Sequence, residues 1–276
     1  MLRRRILRRK TGGFVGAYDV FAASLAHVYE PARRTLTAYV GDLCRLRRAS
    51  DDAELDWGYL ANGDLNVAGI AAWAGGASYV VSIYDQVAGD TITQAVKANQ
   101  SLFVAAAQNG HAGMTLDVTD YLQGAYTTGG ALSQPFNLFV IAQLNAALIN
   151  DGGQYNLTDG DDAVNTMFIY KNPAPVPDGW ALYAGGVLAG EDASVGYKLF
   201  SAVFNGATSL LKVNAGADAP GNAGAHNADG ITIGASSAGA LGWVGQWTSA
   251  IICDPALSAG NRTAMETAIN SYWAAY

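Results

Sequence analysis

The stretch Arg45–Asp64, RLRRASDDAELDWGYLANGD, and the stretch Tyr79–Gln86, YVVSIYDQ, decide the fold of this chain. The first predicts a basic strand and a turn, and it ends in an Asn-Gly-Asp turn signal. A short helix is predicted between the two stretches, because Asn66 can cap its start and Gly75 can stop it. The second stretch opens with a largely apolar run of the length that is typical of a buried strand.

Similar strand-like runs continue to the end of the chain. They are separated by clusters of Gly, Asn, Asp and Pro, which favour tight turns. Many short strands with such turns are typical of a two-sheet antiparallel sandwich or jelly roll. The predicted strands beyond the second stretch are Phe136–Ala142, Thr166–Tyr170, Trp180–Tyr183, Tyr197–Phe204, Ser209–Val213, Ile231–Ile233 and Gln246–Cys253.

Two further helices are predicted near the ends of the chain. Phe21, Leu25 and Val28 recur at helical spacing before Pro31, and this pattern predicts a short early helix. Ser258 can cap a closing helix that runs to about Trp273. Both helices are interpreted as packing elements.

The quoted stretches carry a resemblance to known families. Their order of basic strand, Asn-Gly-Asp turn, short helix and Tyr-Asp-Gln strand resembles the start of the catalytic domain of fungal-type α-L-arabinofuranosidase B. It resembles more closely a group of tailed-phage virion proteins that carry this opening on a concanavalin A-like jelly roll. The match lies mainly over residues 18–95 and returns in the closing strand and helix. The resemblance therefore implies an all-β, concanavalin A-like jelly-roll sandwich with short helices.

The sequence departs from the enzyme family where chemistry would be expected. A glycosidase needs two carboxyl groups about 5–9.5 Å apart, and no position here matches the family's nucleophile or acid. The cysteines that the enzymes carry around the short helix are also missing, with Trp73 and Ala77 nearby instead. We therefore expect no catalytic residue and no enzymatic activity. The only glutamates are Glu30, Glu54, Glu191 and Glu266.

Charge is divided unevenly along a chain that is only 14% charged and 50% hydrophobic. Residues 1–48 contain eleven Lys or Arg and three Asp or Glu, a net charge of +8, and the remainder carries −15. We therefore divide the chain into a basic arm, residues 1–17, and a jelly-roll domain, residues 18–276. The expected partner-binding residues of the arm are Arg3, Arg4, Arg5, Arg8, Arg9 and Lys10.

The arm cannot form a core of its own, so it needs an acidic partner or stays solvated. Docking to an acidic protein surface is favoured, with a solvated arm and a nucleic-acid contact as alternatives. The acidic body shows no nucleic-acid recognition motif. No apolar run reaches the roughly 18–20 residues of a membrane-spanning helix.

One acidic loop is a candidate for binding a cation. Asp159, Asp161 and Asp162 lie close together in the sequence, and closely spaced hard oxygen ligands suit Ca²⁺. The loop does not have the spacing of an EF-hand, so a solvated turn is the competing interpretation. No cofactor is otherwise expected.

Aromatic and sulfur side chains suggest little further chemistry. Trp57 and Trp180 are candidates for stacking on a sugar ring, although tryptophans at strand spacing are usually core residues. Cys44 and Cys253 fit two buried thiols, and whether they pair is left open. The three histidines are scattered and show no metal-ligand spacing.

These observations predict a non-enzymatic structural protein of a phage virion. It would be a capsid decoration or a tail-associated knob, anchored by its arm to capsid or tail proteins after assembly in the host cytoplasm. A homo-oligomer and glycan binding are expected to accompany that role. The alternatives are an arabinofuranosidase-like glycoside hydrolase and a host-receptor lectin, since fold alone does not choose among them.

Overall fold

The computed structural model describes residues 14–173 and 178–276, which form an antiparallel β-sandwich with two α-helices. Every pairing between its named strands is antiparallel. The all-β jelly-roll prediction is therefore confirmed, and the division into an arm and a body stays a prediction. The elements are β1 (Leu25–Tyr29), β2 (Cys44–Arg48), β3 (Glu54–Trp57), α1 (Val67–Ala74), β4 (Ser78–Tyr84), β5 (Thr91–Thr93), β6 (Leu102–Gln108), β7 (His111–Leu116), β8 (Leu122–Ala125), β9 (Phe136–Leu144), β10 (Tyr155–Asn156), β11 (Thr158–Asp159), β12 (Phe168–Asn172), β13 (Gly179–Tyr183), β14 (Val187–Asp192), β15 (Lys198–Phe204), β16 (Ser209–Val213), β17 (Ala219–Gly221), β18 (Gly230–Ile233), β19 (Gly245–Cys253) and α2 (Ala259–Trp273).

The centre of the fold is the strand trio β19, β9 and β15, which lie side by side. β9 reads FNLFVIAQL and all but one of its residues are buried, as expected for a strand covered on both faces. Phe139, Val140 and Ile141 have no exposed surface. The predicted buried strands Tyr79–Tyr84, Phe136–Ala142 and Gln246–Cys253 coincide with β4, β9 and β19.

The early helix is predicted wrongly. Asp19–Ser24 forms a 3₁₀ helix, but Leu25–Tyr29 is the strand β1. β1 pairs with β19, with Val28 opposite Ile251 and Tyr29 opposite Ala250. Apolar spacing suggested a helix, and a partner from the far end of the chain overrides that local preference.

The two α-helices begin and end as their sequences predict. Asn66 accepts a hydrogen bond from the Gly69 backbone N–H at 3.0 Å, and Gly75 ends α1 at φ 60°. Ser258 accepts from the Asn261 backbone N–H at 3.4 Å at the start of α2. The buried face of α2 includes Met265, Ile269 and Trp273, and it covers β15. Among the described residues, no helix is long and apolar enough to cross a membrane.

The stretch RLRRASDDAELDW forms the β2–β3 hairpin, and its charges pair within it. Arg48 donates two hydrogen bonds of 2.6 Å to the carboxylate of Asp51. Arg45 similarly donates two hydrogen bonds to the carboxylate of Asp56 on the paired strand, at 2.8 and 2.7 Å. These bidentate pairs lock the turn, so the stretch has a structural role here.

The Tyr-Asp-Gln sequence at the end of β4 is also structural. Asp85 accepts from the backbone N–H groups of Val28, Val87 and Ala88 at 2.8–3.0 Å. The buried amide of Gln86 donates to the carbonyls of Glu30 and Arg33. Together they satisfy buried backbone groups of the loop that follows β1.

A second sheet of four strands, in the order β10-β12-β13-β14, positions the functional site. Its neighbour in the large sheet is β11. β11 pairs with β18, and β18 pairs on its other side with β8. The loop 160–167 connects β11 to β12, and the chain before β18 runs beside it. The site lies where these two segments meet.

Candidate functional site

Asp161 and Asp229 form a pair of carboxyl groups at this junction. β11 pairs with β18 so that Asp159 stands opposite Thr232, and this register brings the next residues of the loop alongside Gly230. A Cβ atom at Gly230 would lie 2.2 Å from the Asp161 Cγ atom, so only glycine lets the carboxyl group sit there. One oxygen atom of each carboxyl group is buried, and no described residue donates to it.

The two carboxyl groups interact strongly. The pKa of Asp161 is raised, first by burial and then by the negative charge of Asp229. The other oxygen of Asp229 accepts from the Asn165 side-chain amide at 2.6 Å. A neighbouring negative charge disfavours ionisation of a carboxyl group, so the charge of Asp229 adds to the effect of burial on the pKa of Asp161.

Asp159 and Asp162 shape the loop that carries Asp161. Asp159 accepts from the backbone N–H groups of Gly160, Met167 and Ser237 at 2.7, 3.0 and 2.8 Å. Burial raises the pKa of Asp159 to about 6, against the lowering effect of these hydrogen bonds. The exposed Asp162 accepts from the backbone of Val164 and Asn165 in a local turn.

Gln123 on β8 holds the loop from the other side. Its side-chain amide lies 2.8 Å from the Asp161 carbonyl oxygen, 2.9 Å from the Ser237 carbonyl oxygen and 3.0 Å from the Thr232 hydroxyl. The Thr232 hydroxyl in turn donates to the Gly160 carbonyl at 2.7 Å. The backbone of Asp161 is therefore fixed by side chains from two strands, as a preorganised site requires.

Three half-buried rings lie beside the loop 160–167. Phe168 and Tyr183 are cross-strand neighbours on β12 and β13, and their rings stack with centroids 4.8 Å apart. The ring of His226 meets Tyr183 edge-on at 6.2 Å. The Nδ1 atom of His226 lies 3.0 Å from the Thr166 carbonyl oxygen, and Thr166 directly follows Asn165. The loop that carries Asp161 therefore also contacts the imidazole of His226, and the chain continues from it into the stacked ring of Phe168.

The three aspartates predicted to bind Ca²⁺ serve three different contacts. Asp159 and Asp162 accept backbone N–H groups, and only Asp161 presents a buried oxygen atom without a donor. The described residues contain one group of histidine and aspartate side chains close enough to share a metal ion, and these three are not part of it. Calcium binding at the loop stays a prediction.

That other group is His27, Asp85 and Asp90, which the sequence did not reveal. The Nδ1 atom of His27 lies 2.9 Å from an Asp85 oxygen, and its ring stacks on Tyr126. The Asp85 carboxylate already accepts three backbone N–H groups, and Asp90 accepts from the backbone of Thr127 and Thr128. Because the carboxylate oxygen atoms of Asp85 and Asp90 already accept backbone hydrogen bonds, we interpret this group as stabilising the fold and not as a metal site.

The tryptophans predicted to stack on sugars do not belong to the site. Trp180 has an exposed fraction of 1% and packs against Phe200 and Trp243, so it is a core residue and cannot reach a sugar ring. Trp57 is half-buried on the edge strand β3 and meets Trp73 edge-on at 5.6 Å. The six basic residues expected to bind a partner, Arg3, Arg4, Arg5, Arg8, Arg9 and Lys10, lie outside the described residues.

Other candidate groups have separate structural contacts. Glu30 pairs with Arg33 at 2.5 Å, and Glu266 accepts from Ser201 and Lys212, both at 2.7 Å. Glu54 and Glu191 lie exposed on the strands β3 and β14. The two cysteines, Cys44 and Cys253, are buried free thiols.

Asp229 is a candidate site residue that the sequence did not reveal. It lies in the sequence Asn227-Ala-Asp-Gly230, which is an ordinary turn signal just before a strand. The only sign in the sequence is a similarity between two segments. Asp229 precedes the strand β18, as the acidic loop 159–162 precedes the strand β12. Nothing in either segment alone reveals that β11 and β18 pair.

The sandwich is similar in structure to solved arabinofuranosidases. An arabinofuranosidase complexed with arabinofuranosyl-α-1,2-xylobiose matches with a TM-score of 0.76 at 14% identity, over 94% of this chain and 65% of the enzyme. A GH54 α-L-arabinofuranosidase soaked with a cyclic sulfate inhibitor matches with a TM-score of 0.73 at 13% identity, over 93% and 64%. This chain therefore spans just under two thirds of the length of these enzymes. No family model and no curated protein matches it.

At this level of identity the likeness shows the fold, and it corrects the functional prediction. The interpretation as a non-enzymatic phage structural protein, whether a capsid decoration or a tail-associated knob, is wrong. The expectation of no enzyme is also contradicted, because three solved structures that match this chain with TM-scores of 0.73–0.76 are arabinofuranosidases. No family model supports membership of a virion protein family. The alternative of an arabinofuranosidase-like hydrolase fits better.

Proposed function

We propose that this chain is a glycoside hydrolase that removes a terminal arabinofuranose-type sugar, with Asp161 and Asp229 supplying the proton. The observation that carries the proposal is the half-buried carboxyl pair with a raised pKa at Asp161. The arabinofuranosidase fold supports the substrate class, since a solved structure of that fold holds an arabinofuranosyl xylobiose.

The chemistry follows from the raised pKa of Asp161. Departure of the sugar's leaving group requires a general acid that is still protonated near neutral pH. Burial and the neighbouring Asp229 charge favour the protonated form of Asp161. As that proton passes to the glycosidic oxygen and the bond to the leaving group breaks, the anionic pair stabilises the developing positive charge of the sugar ring. A water molecule then bonds to the ring carbon and returns a proton to the pair.

The closeness of the pair also favours a second candidate, glycan binding without turnover. Glycosidases hold their two reacting carboxyl groups about 5–9.5 Å apart, whereas the Asp161 carboxyl group packs against Gly230, the residue that follows Asp229, and its pKa is raised in part by the Asp229 charge. Adjacent carboxylate oxygens suit two neighbouring sugar hydroxyls as hydrogen-bond donors. In that case the same residues recognise a sugar and do not cleave it.

Hydrolysis of an aryl α-L-arabinofuranoside and of arabinofuranosyl xylobiose separates the two candidates, with calorimetry to measure binding. We expect Asp161→Asn and Asp229→Asn to lower kcat about 100-fold or more, the usual contribution of a general acid. Asp192→Asn is the control, because Asp192 is an exposed aspartate on β14, and it should keep full activity.

Binding without turnover by the unmodified chain would refute the hydrolase and support the second candidate. Turnover that survives both asparagine variants would place the chemistry elsewhere. Neither binding nor turnover with furanoside substrates would overturn both candidates.

A further inference from the structure

We infer that His226 is a recognition residue whose Nε2 atom accepts a hydrogen bond from a hydroxyl group of the bound glycan. The inference rests on the proposed function and adds a named residue and contact to it. It starts from how the chain holds this histidine.

The backbone around His226 is clamped to the turn between β13 and β14. The His226 backbone N–H donates to the Ala184 carbonyl at 2.9 Å, and the backbone N–H groups of Ala184 and Gly186 donate to the Ala223 carbonyl at 2.5 and 2.9 Å. This approach depends on glycine: a Cβ atom at Gly224, where φ is +95°, would lie 2.1 Å from the Ala184 carbonyl oxygen. His226 therefore has a rigid backbone position.

The imidazole ring is also oriented. Because Nδ1 lies 3.0 Å from the Thr166 carbonyl oxygen, Nδ1 carries the proton and donates it. In the neutral ring this leaves Nε2 as an acceptor, and no residue of the described ranges donates to it. The edge-on contact with Tyr183 limits rotation of the ring.

The location points to the glycan as the missing donor. Thr166, which orients His226, adjoins Asn165, and Asn165 donates to Asp229 of the carboxyl pair. The loop 160–167 therefore positions both the carboxyl pair and the imidazole ring of His226. A sugar is rich in hydroxyl donors, and its apolar face suits the neighbouring rings of Tyr183 and Phe168.

Two variants test the contact by kinetics on arabinofuranosyl xylobiose. His226→Phe keeps a ring against Tyr183 and removes Nε2, so we expect KM to rise about tenfold with kcat nearly unchanged, as for a lost ground-state hydrogen bond. His226→Gln can present an acceptor oxygen and should recover part of the loss. His111→Phe is the control, because His111 stacks on Tyr272 elsewhere on the sandwich.

A direct readout is the ¹⁵N chemical shift of His226 Nε2 when the same sugar is added to the Asp161→Asn variant, which should bind without turnover. We expect the Nε2 resonance to move and the His111 resonance to stay. If the unmodified chain binds or cleaves the sugar while His226→Phe behaves as His111→Phe, only the role of His226 is overturned. If the unmodified chain neither binds nor cleaves the sugar, both the proposed function and this inference are refuted.

Discussion

Replacing Lys171 by methionine should destabilise the fold strongly. The Nζ atom of Lys171 lies 2.5 Å from Asp151 and 2.5 Å from Asp178, and 2.7 Å from the Leu148 carbonyl oxygen. The Lys171 side chain has no exposed surface, and that of Asp178 is 5% exposed. Methionine fills the space but leaves the carboxylates without their cation.

The size of the effect follows from the burial. Removing one partner of a buried ion pair costs about 3–5 kcal/mol of the free energy of unfolding. A chain of 276 residues unfolds with an entropy of about 0.6 kcal/mol per kelvin. The midpoint temperature Tm should therefore fall by about 5–9 °C in differential scanning calorimetry at pH 7.

Lys97→Met provides the matched control. Lys97 pairs with Asp52 at 2.8 Å, but the two side chains are 58% and 48% exposed. Exposed pairs contribute about 0–1 kcal/mol, so Tm should fall by at most about 2 °C. Adding Asp178→Asn to Lys171→Met should recover part of the loss. Equal shifts for Lys171→Met and Lys97→Met would refute the reasoning.

The same ion pair predicts a pH dependence. Burial acts to raise the pKa of Asp151, but hydrogen bonds from Lys171, Tyr155 and the Gly153 backbone lower it to about 2. An unfolded aspartate has a pKa of about 3.9. The stabilisation by the ionised carboxylate is therefore complete above about pH 4 and is lost as the pH falls through about 2. The difference in stability between the unmodified chain and Lys171→Met should narrow over that range.

Three further predictions concern the core and the site. Trp180→Ala should cost about 3–5 kcal/mol and lower the urea midpoint; a change below about 1 kcal/mol would contradict its placement in the core. Gly224→Ala should lower Tm more than Gly129→Ala, because both have positive φ but only Gly224 lacks room for a Cβ atom; equal shifts would refute the clamp. Asp161 has a raised pKa, first from burial and then from Asp229, so its contribution to stability falls as the pH rises. Asp161→Asn should gain stability relative to the unmodified chain between pH 4 and pH 8 in urea titrations, and a constant difference would contradict the pairing.

Much of the fold could be predicted because it is encoded locally. The Asn66 and Ser258 caps, the Gly75 stop and the apolar runs of β4 and β9 are signals that lie within a few residues of the elements they define. β1 was mistaken for a helix because Leu25–Tyr29 is short, and its strand character comes from its pairing with β19.

The candidate site depended on distant parts of the chain. The sequence predicts Asp161 as a metal ligand and does not distinguish Asp229 from a turn residue. Their pairing follows from the antiparallel register of β11 with β18, and no local pattern specifies that register. Trp180 shows the reverse error, since its aromatic chemistry suggested a ligand contact and its packing against Phe200 places it in the core.

The sequence by itself determined the class of fold, the turns and caps, and the division between a basic start and an acidic body. Only the tertiary structure decided which polar side chains share a site. Strand and helix formation depend on neighbouring residues, whereas the raised pKa of Asp161 depends on burial and on the charge of Asp229, which lies on a distant segment. Burial and long-range charge exist only once the sheets have assembled.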